Sequence, residues 1–322
     1  MVSKLVKIQL LEALSDGSWH TLEDLSRETG LRDDALAGLL EELSREVPEL
    51  RRVPGLGICL PRELQRYDRR MLEALAGGRV DVYDTIGSTN DVARERFGQG
   101  AGHGTAVLAD YQTAGRGRMG RPFASPGGTG IYLSVLLTDS AVLEQSHLVT
   151  PAAAVVAVKA LERLTRARIG IKWVNDLFCS GKKISGILTE AVVREGKPAG
   201  IIVGIGVNFA TPPELLPEVA GSLRDFLLPG ASRNEAAAAL IRGLRDELPD
   251  LVRQRSFLPE YRRRSILLGQ PVRVLPVGQE PYEAVAESID EEAALVVDRQ
   301  GRKIRLQTGE VSIRFPGQET NR

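Results

Sequence analysis

Apolar residues recur at helical spacing from the start of the chain: Leu5, Ile8, Leu11 and Leu14 share one face, and Asp16-Gly17 ends the run as a turn. Thr21, with Asp24 three positions on, marks the N-cap of a second helix that Gly30 stops, and 32–45 carries Leu36, Leu39, Leu40 and Leu43 on one side. The periodicity then changes to two short strands within 47–61 around a Pro-Gly-x-Gly turn. Helix–turn–helix followed by a hairpin predicts a winged helix.

A helix over 64–78 leads from this unit into a different texture. Strands are predicted over 80–85, 105–111, 130–138, 169–174, 177–179, 186–194 and 199–208, and helices over 89–97, 143–165 and 233–253. Strands cluster rather than alternate strictly with helices, which predicts an α+β sheet domain. After Arg262-Arg263-Arg264 and Gly269 only strands remain, over 272–275, 282–289, 294–298, 303–306 and 311–315, the pattern of a small barrel. A boundary near Arg66 and another at Gly269 divide the chain into 1–66, 67–268 and 269–322.

The length, 322 residues, suits two or three domains. With 43% hydrophobic and 26% charged residues the composition is that of a folded protein, which excludes a disordered tail. Lys+Arg and Asp+Glu both number 42, so any nucleic-acid role must rest on a local surface rather than on overall charge. Cys59 and Cys179 are far apart, fitting neither a disulfide framework nor metal-ligand spacing, and point to a reducing compartment. The opening segment is interrupted by Glu12, unlike a signal peptide, and the apolar stretch at 152–158 is far short of a membrane span. A cytoplasmic protein without a membrane partner is expected.

The densest chemistry is Gly115-Arg116-Gly117-Arg118-Met119-Gly120-Arg121, three glycines and three arginines in seven residues directly after a predicted strand. Glycines let backbone N–H groups approach an anion, and arginines present forks of donors that match phosphate or carboxylate oxygens. The loop also fits G-x-G-x-x-G, but Pro122, Pro126 and Gly127-Gly128 follow where that fingerprint requires a helix. Read alone it is equally a solvated basic loop. Lys172-Trp173-Val174-Asn175-Asp176-Leu177 sets a lysine and a carboxylate at a strand end, where period-two alternation would bring Lys172 and Asp176 to one face. Core packing of Trp173 with a turn at Asn175-Asp176 explains the same residues. Lys182-Lys183 precedes a strand in which Gly186 lacks a side chain, a mark of close ligand approach, and Gly204-Ile205-Gly206-Val207-Asn208 repeats the theme. Upstream, Gly87-Ser88-Thr89-Asn90 is either an N-cap cluster or a set of groups able to hold a small polar ring.

In this order, Ser88-Thr89-Asn90, Gln112 with the 115–121 loop, 172–177, 183–188 and Gly206-Val207-Asn208 resemble the biotin protein ligases. The three-part layout resembles the bifunctional subgroup: a winged helix-turn-helix, a catalytic domain like the class II tRNA synthetases, and an SH3-like barrel containing Gly309–Arg314. The resemblance implies that biotin is activated with ATP and Mg²⁺ to biotinyl-5′-AMP and passed to a lysine of the biotin carboxyl carrier domain of acetyl-CoA carboxylase. It implies that Ser88, Thr89 and Gln112 bond the ureido head of biotin, with Asn90, Gly115 and Gly186 beside it. Arg116, Gly117 and Arg118 would close over biotin and the intermediate. Lys183 would grip the biotin carboxylate and the α-phosphate. Arg121, Phe123, Lys172, Trp173, Asn175, Asp176 and Asn208 would face the nucleotide, with Asp176 toward Mg²⁺. Lys183, Arg118 and Asp176 are thus the expected catalytic residues, and a homodimer is the expected assembly. Met119, Phe123 and Val174 depart from the family's usual Arg, Trp and Pro; Phe123 makes the smaller wall.

The same resemblance implies a biotin-operon repressor, against which the charges stand. Residues 1–66 hold nine Lys+Arg and twelve Asp+Glu, a net of −3, whereas DNA affinity rests on phosphate neutralisation. The would-be recognition helix opens Arg32-Asp33-Asp34, leaving Arg32, Arg51 and Arg52 as candidates for an operator. Two other readings stay open: a transcription factor that senses biotinyl-adenylate without transferring it, and a lipoate ligase relative. A triad hydrolase does not fit, since His20, His103 and His147 have no nucleophile motif nearby.

Overall fold

The computed structural model describes residues 4–47, 50–53, 57–60, 67–229, 231–276, 279–307 and 311–314, with the backbone alone for 4, 5, 46, 51, 53 and 311–314. Helices α1 (Lys4–Leu14), α2 (Leu22–Thr29) and α3 (Asp33–Glu46) precede an antiparallel pair, β1 (Arg51–Val53) and β2 (Gly57–Cys59). The expected cap of α2 is present as a reciprocal box: Asp24 N–H donates to Thr21 Oγ1 at 3.1 Å and Thr21 N–H to Asp24 Oδ2 at 3.2 Å. Gly30 ends the helix at φ +67°, a conformation that costs glycine nothing. Leu10, Leu14, Leu25, Leu36, Leu40 and Leu43 close a core of their own here. The turn expected at Pro54-Gly55-Leu56 and the boundary near Arg66 lie outside the described residues.

After α4 (Arg69–Ala76), β3 (Val80–Ile86) leads through α5 (Thr89–Gly98) to β4 (Ala106–Gln112), β5 (Ile131–Leu137), β6 (Gly170–Lys172), β7 (Asp176–Cys179), β8 (Lys182–Arg194) and β9 (Lys197–Val207). These seven described strands form one mixed sheet in the order β3-β4-β5-β9-β8-β7-β6, parallel only between β3 and β4. Alternation along β9 sorts the two faces: Ile201, Val203 and Ile205 join the main core, whereas Ile202 packs with Leu136, Val192, Ala93 and Phe97 under α5.

The main-core face is covered by α7 (Val149–Glu162), whose run Pro151–Val158 is wholly buried, as a helix apolar all round requires. The helix expected over 143–165 is divided into α6 (Ser140–Glu144), a 3₁₀ turn at Ser146–Leu148 and α7. Pro151 is the reason: it lacks the N–H that a continuous helix needs, and only a first turn tolerates it. The helix expected over 233–253 likewise resolves into α8 (Arg233–Arg242), a π turn (Gly243–Glu247) and α9 (Leu248–Gln254). Pro249 cannot donate to the Arg245 carbonyl, and His103 Nε2–H does so instead at 3.0 Å.

After α10 (Leu258–Arg264), strands β10 (Pro271–Pro276), β11 (Tyr282–Ile289), β12 (Leu295–Arg299), β13 (Arg302–Leu306) and β14 (Val311–Arg314) make an antiparallel sheet in the order β13-β12-β11-β10-β14. Gly309 and Glu310 lie outside the described residues. Val272, Val274, Ala286 and Leu295 belong to the same apolar cluster as the main core. The Trp173 indole N–H donates to Ala293 O at 2.9 Å and Arg262 Nε to Ile289 O at 2.7 Å, tying this sheet to the one that carries the site. No described helix is long and apolar enough to cross a membrane.

Candidate active site

A cavity of about 820 Å³ opens over β8 and β9, walled by the start of α5, the 116–124 loop, the β6–β7 hairpin and the 216–220 segment. At one end the groups are neutral and hydrogen-bonding. Ser88 stands at the N-cap of α5 and makes no capping bond with its side chain, so the hydroxyl is left to the cavity. Thr89 N–H donates to Gln112 Oε1 at 2.8 Å, the Thr89 hydroxyl lies 3.2 Å from the same oxygen, and Gln112 Nε2 donates to Ser125 Oγ at 3.0 Å. Asn90 Nδ2 donates to Glu190 Oε2 at 2.6 Å, and Ser134 Oγ sits between Thr89 Oγ1 (2.7 Å) and Asn90 Oδ1 (2.5 Å).

The arginine-rich loop is a narrow hairpin. Phe123 N–H donates to Gly115 O at 2.9 Å and Gly117 N–H to Arg121 O at 2.7 Å, placing Met119 at an exposed tip with φ +58°. A side chain at Gly115 would collide with Phe123 O and Ser125 Oγ, both at 2.7 Å, so this glycine is needed at the base of the hairpin, behind the cavity wall. Arg116 forms a two-pronged ion pair with Asp91 of α5. Arg118 turns inward, donating to Asn175 Oδ1 at 3.1 Å. Burial pushes its pKa down and the Asp176 carboxylate opposes that shift.

The strand glycines serve the protein before any ligand. Gly186 and Gly206 are cross-strand partners, and a Cβ on Gly206 would stand 2.5 Å from the Phe123 ring. Over Gly204 the occupant is Asn90, whose Oδ1 would be 2.3 Å from an added Cβ. The missing side chains therefore seat Phe123 and Asn90, which in turn line the cavity. Phe123 is steadied edge-on by Tyr132, with ring centroids 6.4 Å apart.

The opposite end is cationic. The strand expected over 169–174 stops at Lys172, and β7 starts at Asp176, so 173–175 form a turn. Lys172 and Asp176 still share a face, but as directly opposed partners of a hairpin rather than by alternation along one strand. Asn175 Nδ2 donates to Ile187 O at 3.0 Å, pinning the turn to β8. The strand expected from Gly186 begins four residues earlier, at Lys182, and the pleat sorts the lysine pair: both line the cavity, but Lys182 is exposed whereas Lys183 is half-buried. Lys183 Nζ lies 2.7 Å from Asp176 Oδ1. Asn208 donates through Nδ2 to Gly221 O at 2.8 Å, while its Oδ1 is buried without a hydrogen-bond partner among the described residues. Trp173, Arg121 and Lys172 also line this end.

Residues not singled out from the sequence complete the site. Ser134 and Glu190 hold the neutral end but have no motif around them. The 216–220 segment carries no motif, and only the bridge between Lys183 and Ala220 lays it beside β8. Arg233, fully buried, pairs with Asp110 at 2.8 Å, donates to Gly130 O at 2.8 Å and stacks on Tyr67 at 4.2 Å, anchoring the chain just after the hairpin. The charge of Arg233 gives no hint of burial, because long cations are normally exposed. Outside the cavity lining, Arg32 and Arg52 are exposed, and the side chain of Arg51 lies outside the described residues. Asp33 and Asp34 occupy the first turn of α3, where acids favour the helix dipole.

A hydrogen-bonding end, a cationic end and a basic hairpin over a mixed sheet define a carboxylate-activating ligase class, and residues 82–208 match the Biotin/lipoate A/B protein ligase family. The chain is 32% identical over 330 residues to the Escherichia coli "Bifunctional ligase/repressor BirA", covering 98% of this chain and 99% of that one. It is 34% identical over 253 residues to the Mycobacterium tuberculosis "Biotin--[acetyl-CoA-carboxylase] ligase", covering 75% of this chain and 92% of the relative. A biotin protein ligase from Aquifex aeolicus, solved in complex with biotin and ATP, superposes with a TM-score of 0.60 at 25% identity, covering 73% of this chain and 98% of that one. The chain belongs to the biotin protein ligase family.

Proposed function

We propose that the protein activates biotin with ATP to biotinyl-5′-AMP, releasing pyrophosphate, and transfers biotin to a lysine of a biotin carboxyl carrier domain such as that of acetyl-CoA carboxylase. The observation that carries this reading is the placing of Lys183 and Arg118 at one end of a cavity whose other end holds the neutral hydrogen-bonding set Ser88, Thr89 and Gln112. A carboxylate and a triphosphate repel each other, so their meeting needs fixed positive charge. Lys183 supplies an ammonium at the meeting point, and Arg118 a guanidinium already oriented by Asn175. The hairpin lies over the product and keeps water from the mixed anhydride. In the second step the acceptor lysine attacks the biotinyl carbonyl as a free amine, Asp176 orients it and takes its proton, and the anhydride C–O bond breaks to release AMP as the amide forms.

The donor set fits Mg²⁺. The Asn208 oxygen is buried without a partner among the described residues, the Asp176 carboxylate lines the same cavity, and Mg²⁺ prefers oxygens, one or two from carboxylates and the rest from phosphates and water. When bound it would neutralise phosphate charge. Mass spectrometry of an apo carrier domain after incubation with the protein, biotin, ATP and Mg²⁺ tests the proposal: biotinylation of one lysine is expected, and an unmodified domain refutes it. Competition between biotin and lipoate for ATP-dependent pyrophosphate release separates the lipoate alternative.

A second reading is favoured by the full-length match to a relative named ligase and repressor. We read 1–66 as a winged helix-turn-helix that binds an operator through Arg32, Arg51 and Arg52, 67–268 as the catalytic domain, and 269–322 as SH3-like, in a homodimer. The separate leucine core beside the β1–β2 pair supports the first assignment. A gel shift on the promoter of the organism's biotin genes, with biotin and ATP present, is expected at low salt; no shift refutes operator binding.

A further inference from the structure

We propose that Glu190 is a positioning residue that fixes the direction of the Thr89 hydroxyl, so that Thr89 offers a lone pair, and not a proton, to the ligand. The inference rests on the biotin reading and deepens it. Its basis is a count of protons along one buried chain of contacts. Glu190 lies on β8 with Arg94 NH2 3.2 Å from its Oε2, and as a carboxylate it only accepts. The Asn90 atom 2.6 Å from that oxygen must therefore be the amide nitrogen, which turns the amide oxygen toward Ser134. That oxygen has no proton to give, so the single proton of Ser134 is committed to the 2.5 Å contact with Asn90 Oδ1. The 2.7 Å contact between Ser134 and Thr89 can then be bridged only by the proton of Thr89. Gln112 Oε1 is served independently by the Thr89 backbone N–H at 2.8 Å.

Thr89, Asn90 and Ser134 are all at most 4% exposed, so water does not relax the chain. The other acceptor near the Thr89 proton, Gln112 Oε1 at 3.2 Å, is farther away than Ser134 Oγ at 2.7 Å and already takes the Thr89 N–H; a proton sent to either leaves the Thr89 lone pair to the cavity. Nor can Asn90 move aside: its oxygen occupies the space over Gly204 that any side chain there would fill. Thr89 Oγ1 therefore faces the cavity as an acceptor. A ligand that brings an N–H to it, as the ureido ring of biotin does, is paired; one that brings only an oxygen leaves two acceptors opposed.

The test compares pyrophosphate release with biotin and with the two cyclic carbamates in which one ureido N–H or the other is replaced by oxygen. Wild-type protein should prefer biotin over one of the carbamates by more than about tenfold. Glu190→Gln keeps the shape but lets residue 190 donate as well as accept, so both orientations of Asn90 become available. The preference should fall about tenfold while KM for ATP is unchanged. Ser134→Ala, which frees the Thr89 proton directly, should lower it too. A preference untouched by Glu190→Gln, or KM values for biotin and ATP that rise together, overturns the inference alone. No pyrophosphate release with biotin in the wild type overturns the functional reading and this inference with it.

Discussion

Lys183 Nζ and Asp176 Oδ1 stand 2.7 Å apart, an ion pair between neighbouring strands inside the cavity. The pairing gives the two steps of the reaction different sensitivities. Lys183→Ala removes the ammonium from the proposed meeting point of the two anions, and adenylate formation should fall by on the order of 10²–10³, measured as biotin-dependent pyrophosphate release. Asp176→Asn leaves that ammonium in place but takes a carboxylate from the proposed Mg²⁺ donor set, so adenylate formation should fall less than in Lys183→Ala while single-turnover transfer to the carrier lysine slows. Normal pyrophosphate release from Lys183→Ala would remove it from the site.

Arg118 closes the hairpin onto the β6–β7 turn through its 3.1 Å bond to Asn175. Arg118→Gly breaks that latch. The variant should still make adenylate but lose it to solvent, seen as a shorter lifetime of the enzyme-held intermediate in a spin-column assay; unchanged retention would refute the latch.

Arg233 is a cation almost without solvent, and breaking such a pair leaves the survivor poorly compensated. Arg233→Ala should lower unfolding free energy by about 3 kcal/mol in urea titration. It should also loosen the hairpin, because Gly130 O loses a donor. A stability change under about 0.5 kcal/mol, typical of surface substitutions, would contradict the anchoring role.

Hydrogen bonds from Arg263, and then Arg264, hold the Glu260 carboxyl down to about 2 against the opposing effect of burial. A depressed carboxylate stabilises the fold above its unfolded value of 4.5, and that contribution is lost as pH falls through about 2. Glu260→Gln should therefore flatten the loss of stability between those values, with little effect on the slope above pH 5. The network matters to the site because Arg264 NH1 also donates to Ile169 O at 3.1 Å, just before the strand that ends in Lys172.

Much of the fold is legible in the pattern. The Thr21 box, the Gly30 stop, the strand clusters and the five carboxyl-terminal strands follow from local rules, and the site motifs converge on one cavity. What is not legible depends on distant partners. The break at Gly243–Glu247 requires His103 to serve a carbonyl that Pro249 abandons. Ser134 and Glu190 matter only because register sets Ser134 opposite Gly204 and seats Asn90 above it. The strand glycines are visible as gaps, but their occupants are set by tertiary packing.

One of those gaps, at Gly206, couples two distant positions of this chain. The Phe123 ring rests where position 206 has no side chain, so ring size and floor height are a single shared volume. A bulkier ring and a methyl on the floor compete for the same space, and a change at one is best absorbed by a compensating change at the other. The two positions, 83 residues apart in sequence, behave as one locus, and a redesign of this cavity has to treat them as a pair.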